Sequence, residues 1–506
     1  MTRPASCLDA GAGLPDEDPV RLVIFHYHDR PGGVRQVISH GLPQLLARLD
    51  SVQEVVLLMG EVANLHWVKG LALVLNGASL RVVTHREFGY SSGDVTMLGT
   101  DAVALLGSAI TGTKVLVWAH NLSVGRNLPM LRHLPGACAR AGAQLWLHHH
   151  DWWWDGRWAR WGDWRAASVG DLEEALEISL PTGPHIRHMC INQADLSWVR
   201  QRAGSAARWV GNPLPPSTLP DTSQVRAATS WLRRQSQGRR VWLAPVRALR
   251  RKNLAEALFL VRQQAEPTCL VTTGGPGSSI EVPAWESLCH AAAKNDWPFS
   301  PSVLARPTRQ HPAVPDLMVA ADAVIMPSLQ EGFGLPYLEA AAFGKPLLAR
   351  SLPDVSANLA ALGCTLPGSY SSLPVDPASF DAGKENARLA KRWLCLESML
   401  PTHLREDGAP EFSKNQTDFG SLSLEAQLEV LQSDTRPVSG LTEPRTPQWP
   451  EGNRVEHWAD RFFGEDDIED SAEGAGKSGP PLPTGSLLPE VRRRFRYWQE
   501  HPLLWP

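Results

Sequence analysis

Glu331-Gly332-Phe333-Gly334-Leu335-Pro336-Tyr337-Leu338-Glu339 follows the apolar run Ala323-Val324-Ile325-Met326-Pro327-Ser328 and leads into a helix-like run over 336–343. A short strand, a glycine-containing turn and a helix start in that order are the unit of an α/β fold. Pro336 suits the first turn of a helix, where its missing N–H has no partner to lose. Glu339 is then expected in that first turn, where the helix dipole favours a negative side chain. Gly332 and Gly334 let the backbone come close to a ligand. The N–H groups at the helix start form an anion site. The carboxylates of Glu331 and Glu339 therefore bracket a position suited to a phosphate, with a sugar on one side and a ribose on the other. An ordinary strand–turn–helix joint with two exposed glutamates satisfies the same spacing.

Working outward, residues 21–27 (RLVIFHY), 55–59, 80–84, 114–118 and 144–148 read as buried strands, with a helix over 34–47 between the first two. Strands alternating with helices predict a parallel, doubly wound sheet. A second α/β pattern begins with a strand over 240–246. It continues through a helix over 252–264, a strand over 269–273, a helix over 283–294 and strands over 323–326 and 345–349. Three prolines and a glycine in RWVGNPLPP (208–216) mark a boundary between the two patterns. The fold class expected is α/β, with two Rossmann-like domains facing a cleft. The expected division is a tail over 1–19, a first domain over 20–213 and a second over 214–400. An irregular insertion or linker over 401–490 and a basic, aromatic segment over 491–506 that docks back on the first domain complete it. Proline, glycine and serine crowd 437–454 and 471–489, as in linkers. The acidic run 465–470 reads as solvated surface.

Composition narrows the function. Hydrophobic content of 43% and charged content of 20% are those of a globular protein. A formal charge of −4 offers no broad electrostatic handle for nucleic acid. Seven cysteines lie scattered without a C-x-x-C pair, as expected of reduced thiols in a cytoplasmic protein. The first twenty residues lack an apolar core segment and do not resemble a secretory signal. No run of about eighteen apolar residues is present, which argues against a spanning helix.

The run PSLQEGFGLPYLEAAAFGKPLLA (327–349) resembles the signature of retaining glycosyltransferases of family four, enzymes of GT-B fold. Its small-residue helix (Ala340, Ala341, Ala342) and Gly344-Lys345-Pro346 match as well. The resemblance implies that Glu331 contacts donor-sugar hydroxyls and Glu339 the nucleotide ribose. Gly332, Phe333, Gly334 and Leu335 form the donor loop. It also implies that Arg247 and Lys252, in APVRALRRKNLAEAL, bind the donor diphosphate. A fixed guanidinium and ammonium would stabilise the negative charge that grows on the leaving group. Arg250 and Arg251 compete for that role. Gly32 and Gly33, in Asp29-Arg30-Pro31-Gly32-Gly33, occupy the place of the family's donor-phosphate loop. His120 and Asn121 sit where relatives carry a histidine that touches the donor sugar. His150 and Asp151, in LWLHHHDWWWD, occupy a second such place, near acceptor or donor phosphate.

His148, His149 and His150 are consecutive, and neighbours in a strand point to opposite faces, so all three cannot converge on a metal. No metal and no other cofactor is expected, since the cations take a metal's role at the diphosphate. Trp152, Trp153, Trp154, Trp158, Trp161 and Trp164 crowd one segment, interleaved with Arg157, Arg160 and Arg165. Three readings compete there: an aromatic platform for a sugar acceptor built on Trp158 and Trp161, a peripheral membrane element, and local packing.

The expected activity is transfer of a sugar, with retention, from a nucleotide-diphosphate sugar to a hydroxyl of a glycan, a glycolipid or a small metabolite. A sugar-nucleotide epimerase of the same fold and a non-catalytic nucleotide-sugar-binding protein are the rivals. The partners expected are the nucleotide-sugar and its acceptor, with no nucleic acid, and with peripheral membrane contact left open.

Overall fold

The computed structural model describes residues 20–30, 32–49, 51–62, 64–91, 95–112, 114–213, 219–305, 311–405, 417–433, 443–449, 458–463 and 487–505. The expected tail over 1–19, the acidic run and most of the two linker stretches lie outside these residues.

The first sheet is built from β1 (Val20–Phe25), β2 (Val52–Met59), β3 (Ser79–Thr84), β4 (Lys114–His120), β5 (Gln144–His149), β6 (Ile186–Cys190) and β7 (Ala207–Trp209). Its order is β3-β2-β1-β4-β5-β6-β7, and every pairing is parallel. Strand β1 reads VRLVIF because both its faces are covered by helices, which selects a continuous apolar run over an alternating one. The strand order reverses beside β1, between β1 and β4, and this opens a crevice at the carboxyl ends of the strands. His26, Asp29, His120, Asn121 and His150 are all delivered there.

The second sheet is built from β8 (Arg240–Ala244), β9 (Thr268–Thr272), β10 (Phe299–Ser300), β11 (Ala323–Met326), β12 (Leu347–Arg350) and β13 (Ser369–Tyr370). Its order is β10-β9-β8-β11-β12-β13, again all parallel. The reversal here lies between β8 and β11. Arg247 follows β8 and Glu331 follows β11, so the switch point places both at one crevice.

Within the described parts of 401–490, residues 443–449 carry only isolated bridges, whereas 424–432 and 460–463 are helical. Helix Leu424–Gln432 packs on helix Leu254–Arg262 of the second domain, and Gln427 Nε2 donates to Asn253 Oδ1 at 3.1 Å. Trp458 lies 6.1 Å from Trp118 in the first domain, and Arg208 donates to the Phe462 carbonyl at 3.1 Å. The proline- and glycine-rich composition of the region masked these anchors.

Helix Leu488–Glu500 contacts both domains. Arg494 bonds Asp155 at 2.5 Å, Glu490 at 2.8 Å and also Asp195, with both aspartates in the first domain. Burial works against its charge, but Asp155 and Asp195 outweigh that and hold the guanidinium well above its ordinary value. Tyr497 donates to the Leu329 carbonyl of the second domain at 2.5 Å, and Arg250 bonds the Trp505 carbonyl.

The tryptophan segment is core. Trp152, Trp153, Trp154, Trp158 and Trp164 are each 0% exposed, and Trp161 is 7% exposed. Trp158 meets Phe495 edge to face at 5.2 Å, and Trp161 stacks on Trp153 at 5.9 Å. Packing prevails over the acceptor platform because helix Leu488–Glu500 covers the face that Trp158 would have offered.

Arg494→Met should destabilise the protein by about 3–5 kcal/mol, because it leaves buried Asp155 and Asp195 without their cation. Arg493→Met, on a half-exposed side chain, should cost less than about 1 kcal/mol. Urea unfolding followed by tryptophan fluorescence checks the pair. Equal effects would mean that Arg494 holds nothing together.

Candidate donor site in the interdomain cleft

Glu331 is the centre of the site. Its side chain is 8% exposed and ion-pairs with Lys252, whose own side chain is 9% exposed. Arg251 approaches the other carboxylate oxygen at 3.4 Å and donates to the Gln330 carbonyl at 2.6 Å. The Leu329 N–H donates to the Arg251 carbonyl at 2.8 Å, so the loops after β8 and β11 are bonded through backbone as well. Burial pushes the Glu331 carboxyl up, but Lys252 and Arg251 outweigh it and hold the group below its usual range. Burial dominates at Lys252, lowering its ammonium to about 8 against the pull of Glu331. Each buried charge is tolerated because the other is present.

Two unsuspected elements support this pair. Asn253, in the left-handed region at φ 49°, starts helix Leu254–Arg262 and sets Lys252 at its mouth. Glu256 in that helix is fully buried and bonds Arg350 of β12 at 2.7 Å, Tyr370 at 2.6 Å and Asn253 at 2.6 Å. Arg350 continues to Asp418 at 2.7 Å. The network pins the helix that presents Lys252 to the sheet. A glutamate in an apolar helix was the only sequence signal for it.

Arg247 has no hydrogen-bond or ion-pair partner among the described residues. Desolvation, then Arg251, lowers its guanidinium from the ordinary value. A Cβ on Gly274 would come 3.0 Å from the Arg247 Cα, and one on Gly277 3.2 Å from its Nη1. The loop Gly274-Gly275-Pro276-Gly277 after β9 therefore makes room for this arginine, a glycine-rich signal that the sequence reading passed over.

The glycines of the opening motif serve closer approaches than expected. Gly334 takes φ +91° as the helix N-cap, and a Cβ there would sit 2.8 Å from Val355. A Cβ on Gly332 would meet the His150 carbonyl at 3.0 Å, so this glycine admits the first domain's backbone. Phe333 is buried against Gly211 of the first domain. The helix runs Leu335–Ala342, with Pro336 at its second position, and its first turn carries no acidic residue. Glu339 is the fifth residue and falls one position past the first turn, because Gly334 starts the helix earlier than Pro336 implied. Its carboxylate has no partner among the described residues, and burial raises it above the usual range.

Across the cleft, a pocket is bounded by His150, Asp151, Asn192, Gln330, Glu331 and Tyr497, among others. Gln330 donates to the Asp155 carbonyl at 3.2 Å and Asn192 to the Gly332 carbonyl at 3.4 Å, which holds the two walls together. Asn121, at φ 61°, accepts from the Asp151 N–H at 2.9 Å and from the His150 N–H at 3.3 Å. Its side-chain oxygen thus shapes the turn after β5. Gly32, at φ 171°, needs no glycine for its backbone; it caps helix Gly33–Arg48, and a Cβ on Gly33 would meet nothing within 4 Å.

His120, His148 and His150 offer donor atoms within 4.8 Å of one another. The alternation argument excluded His149, which turns to His188 at 2.9 Å, but it overlooked that β4 supplies a third ring. His120 Nδ1 and His150 Nε2 bond each other at 3.1 Å. The Trp118 indole N–H donates to His148 Nδ1 at 3.2 Å, which puts the His148 proton on Nε2. Burial lowers all three imidazoles. They form a neutral cluster in which His120 and His150 bond each other and His148 packs against both, with His120 Nε2 and His148 Nε2 buried and unpartnered.

Two parallel doubly wound sheets with helices on both faces are the architecture of the GT-B fold. Residues 247–365 match the family model described as Glycosyl transferases group 1. Mannosylglucosyl-3-phosphoglycerate synthase of Petrotoga mobilis is 21% identical over 442 residues, which cover 83% of each chain. The crystal structure of Anabaena HepE with UDP-glucose matches with TM-score 0.46 and 17% identity over 68% of this chain and 82% of that one. WaaG, a glycosyltransferase involved in lipopolysaccharide biosynthesis, matches with TM-score 0.45 and 12% identity over 89% and 96%. The family match is confined to the second domain, on the segment that carries Arg247, Lys252, Glu331 and Glu339. Among the described residues, no helix is long and apolar enough to cross a membrane.

With Lys252 at about 8, its charge is present below that pH and lost as pH rises through it. Affinity for pyrophosphate, measured by calorimetry, should fall through this window. Lys252→Arg should carry the loss beyond pH 10, because a guanidinium stays protonated there. A profile flat from pH 7 to 9.5 would remove Lys252 from anion binding.

Proposed function

We propose that the chain transfers a sugar, with retention of configuration, from a nucleoside-diphosphate sugar to an acceptor hydroxyl. The observation that carries this reading is the buried Glu331–Lys252 pair beside the unpartnered guanidinium of Arg247. Departure of a nucleoside diphosphate builds negative charge on its β-phosphate. Lys252 and Arg247 are positioned cations that stabilise that charge more in the transition state than in the ground state. The deep carboxylate of Glu331, kept ionised by its cations, accepts hydrogen bonds from sugar hydroxyls and orients the ring. Glu339 lacks donors, and the two hydroxyls of a ribose supply them. Gly32 and Gly33 at a helix start present N–H groups to phosphate.

No side-chain nucleophile is required. A leaving phosphate on the same face as the incoming acceptor can receive the acceptor's proton, and attack from that face keeps the configuration at C1. This separates the chemistry from a retaining glycosidase, in which two carboxylates about 5 Å apart act as acid and nucleophile. The neutral imidazole of His120, buried beside the cleft, is available as a hydrogen-bond donor or acceptor to the sugar. The acceptor is a small metabolite, a glycan or a glycolipid. The Petrotoga relative's name places a phosphoglycerate in its own product.

Thermal shift with UDP-, GDP- and ADP-sugars reads the donor, and NMR of the product reads the anomeric configuration. Glu331→Gln should lower kcat by at least about 100-fold, the scale of losing one preorganised electrostatic group, in protein that stays folded at the assay temperature although its melting temperature falls, because buried Lys252 loses its carboxylate. Near-normal turnover in that variant, or an inverted product, would sink the reading.

A further inference from the structure

We propose that the first-domain wall of the cleft binds an acceptor bearing a compact anion, a phosphate or carboxylate group, gripped by Arg126 and Arg160. The inference rests on the transfer reading above and names the acceptor's chemical class. Arg126 follows β4, and Arg157 and Arg160 follow β5, so the sheet topology brings three guanidinium groups to the carboxyl edge where ligands of such sheets sit. Arg126 lies 4.3 Å above the ring of Tyr90. No carboxylate or carbonyl among the described residues accepts from its side chain. Tyr90 is itself fixed, bonded at 3.1 Å to His28 and packed at 5.0 Å on Tyr27.

Arg160 meets Asp163 through Nη2 alone, at 2.8 Å, and its Nε is buried without a partner. Burial first, then Arg126, lowers this guanidinium from its ordinary value, and a Cβ on Gly125, the residue before Arg126, would come 3.0 Å from the ring of Trp164, four residues past Arg160, so the two cations stand on packed loops. Arg157 is already engaged by Asp151 at 3.3 Å and by the Trp152 carbonyl at 2.9 Å. Two rigid, like-charged forks held together, one with a buried N–H unused, are unfavourable until an anion bridges them. A tetrahedral phosphate or planar carboxylate matches that geometry bidentately. Tyr90 and Asp151 are also the first-domain groups felt by Arg247. The anion would therefore sit on the acceptor side of the donor-phosphate arginine.

The test is calorimetric titration of the full chain with glucose, glucuronate and glucose 6-phosphate, where the last two arms distinguish carboxylate from phosphate. At least one anionic probe should bind tenfold or more tighter than glucose, with an affinity that falls as salt rises. Arg126→Gln with Arg160→Gln should erase that advantage at an unchanged melting temperature. If the double variant is unfolded, Arg126→Lys, which keeps the charge and loses the fork, should give a smaller loss. Equal binding of all three probes, or an anionic advantage that survives the double variant, overturns the proposal. An advantage abolished by Arg247→Gln alone does so too, since the probe would then occupy the donor-phosphate site. Failure to bind any nucleotide-sugar would instead strike the transfer reading, and these probe titrations, run without nucleotide, do not register it.

Discussion

The buried ion pair between Glu331 and Lys252 is the constraint around which the second domain is organised. Neither charge could be held there alone, since desolvation would neutralise it. Together they fix the loop after β8 to the loop after β11, across the strand-order reversal of the sheet. The pair keeps a carboxylate and an ammonium at contact distance at the edge of the crevice. Behind it, Glu256, Arg350 and Asp418 form a second buried polar network that holds the Lys252 helix to the sheet. Preorganisation of this kind is what electrostatic catalysis requires, because the dipoles do not reorient as the bond breaks.

The fold was legible where burial dictates composition. Apolar runs such as VRLVIF and KVLVWAH are what parallel strands covered on both faces demand, and their alternation with helices forecast both sheets. The short strands β7, β10 and β13 gave too little periodicity to be seen. The charged residues of the candidate site were legible as a cluster because they are close in sequence, with Lys252 five positions from Arg247 and Glu339 eight from Glu331. What escaped depends on contacts distant in sequence. Glu256 to Asp418 is one case, and the tryptophans are another: Trp158 reads as a surface platform until Phe495, far along the chain, covers it. Gly332 was read as room for a ligand, but the backbone of the first domain fills that room.

The histidines show how burial decides chemistry. His26, His120, His148, His149, His150 and His188 are all lowered by desolvation, so the first-domain wall is lined by neutral rings. Separate hydrogen bonds, from Trp118 to His148, between His120 and His150 and between His149 and His188, orient the rings. The wall facing the donor's charged groups is thus polar without being charged, and the fixed charge of the site is concentrated on the arginines, Lys252 and Glu331.

Helix Leu488–Glu500 grips the first domain through Arg494 while Tyr497 holds the loop that carries Glu331. One rigid rod spanning two lobes makes the cleft a jaw with a strut across it. Any rotation of one lobe against the other must either drag this rod or break a two-aspartate anchor, so the aperture of the jaw has an elastic limit. Substrate entry is thereby coupled to an arginine that lines the same pocket as Glu331 without pairing with it, and the width of the mouth becomes a property set by that one side chain.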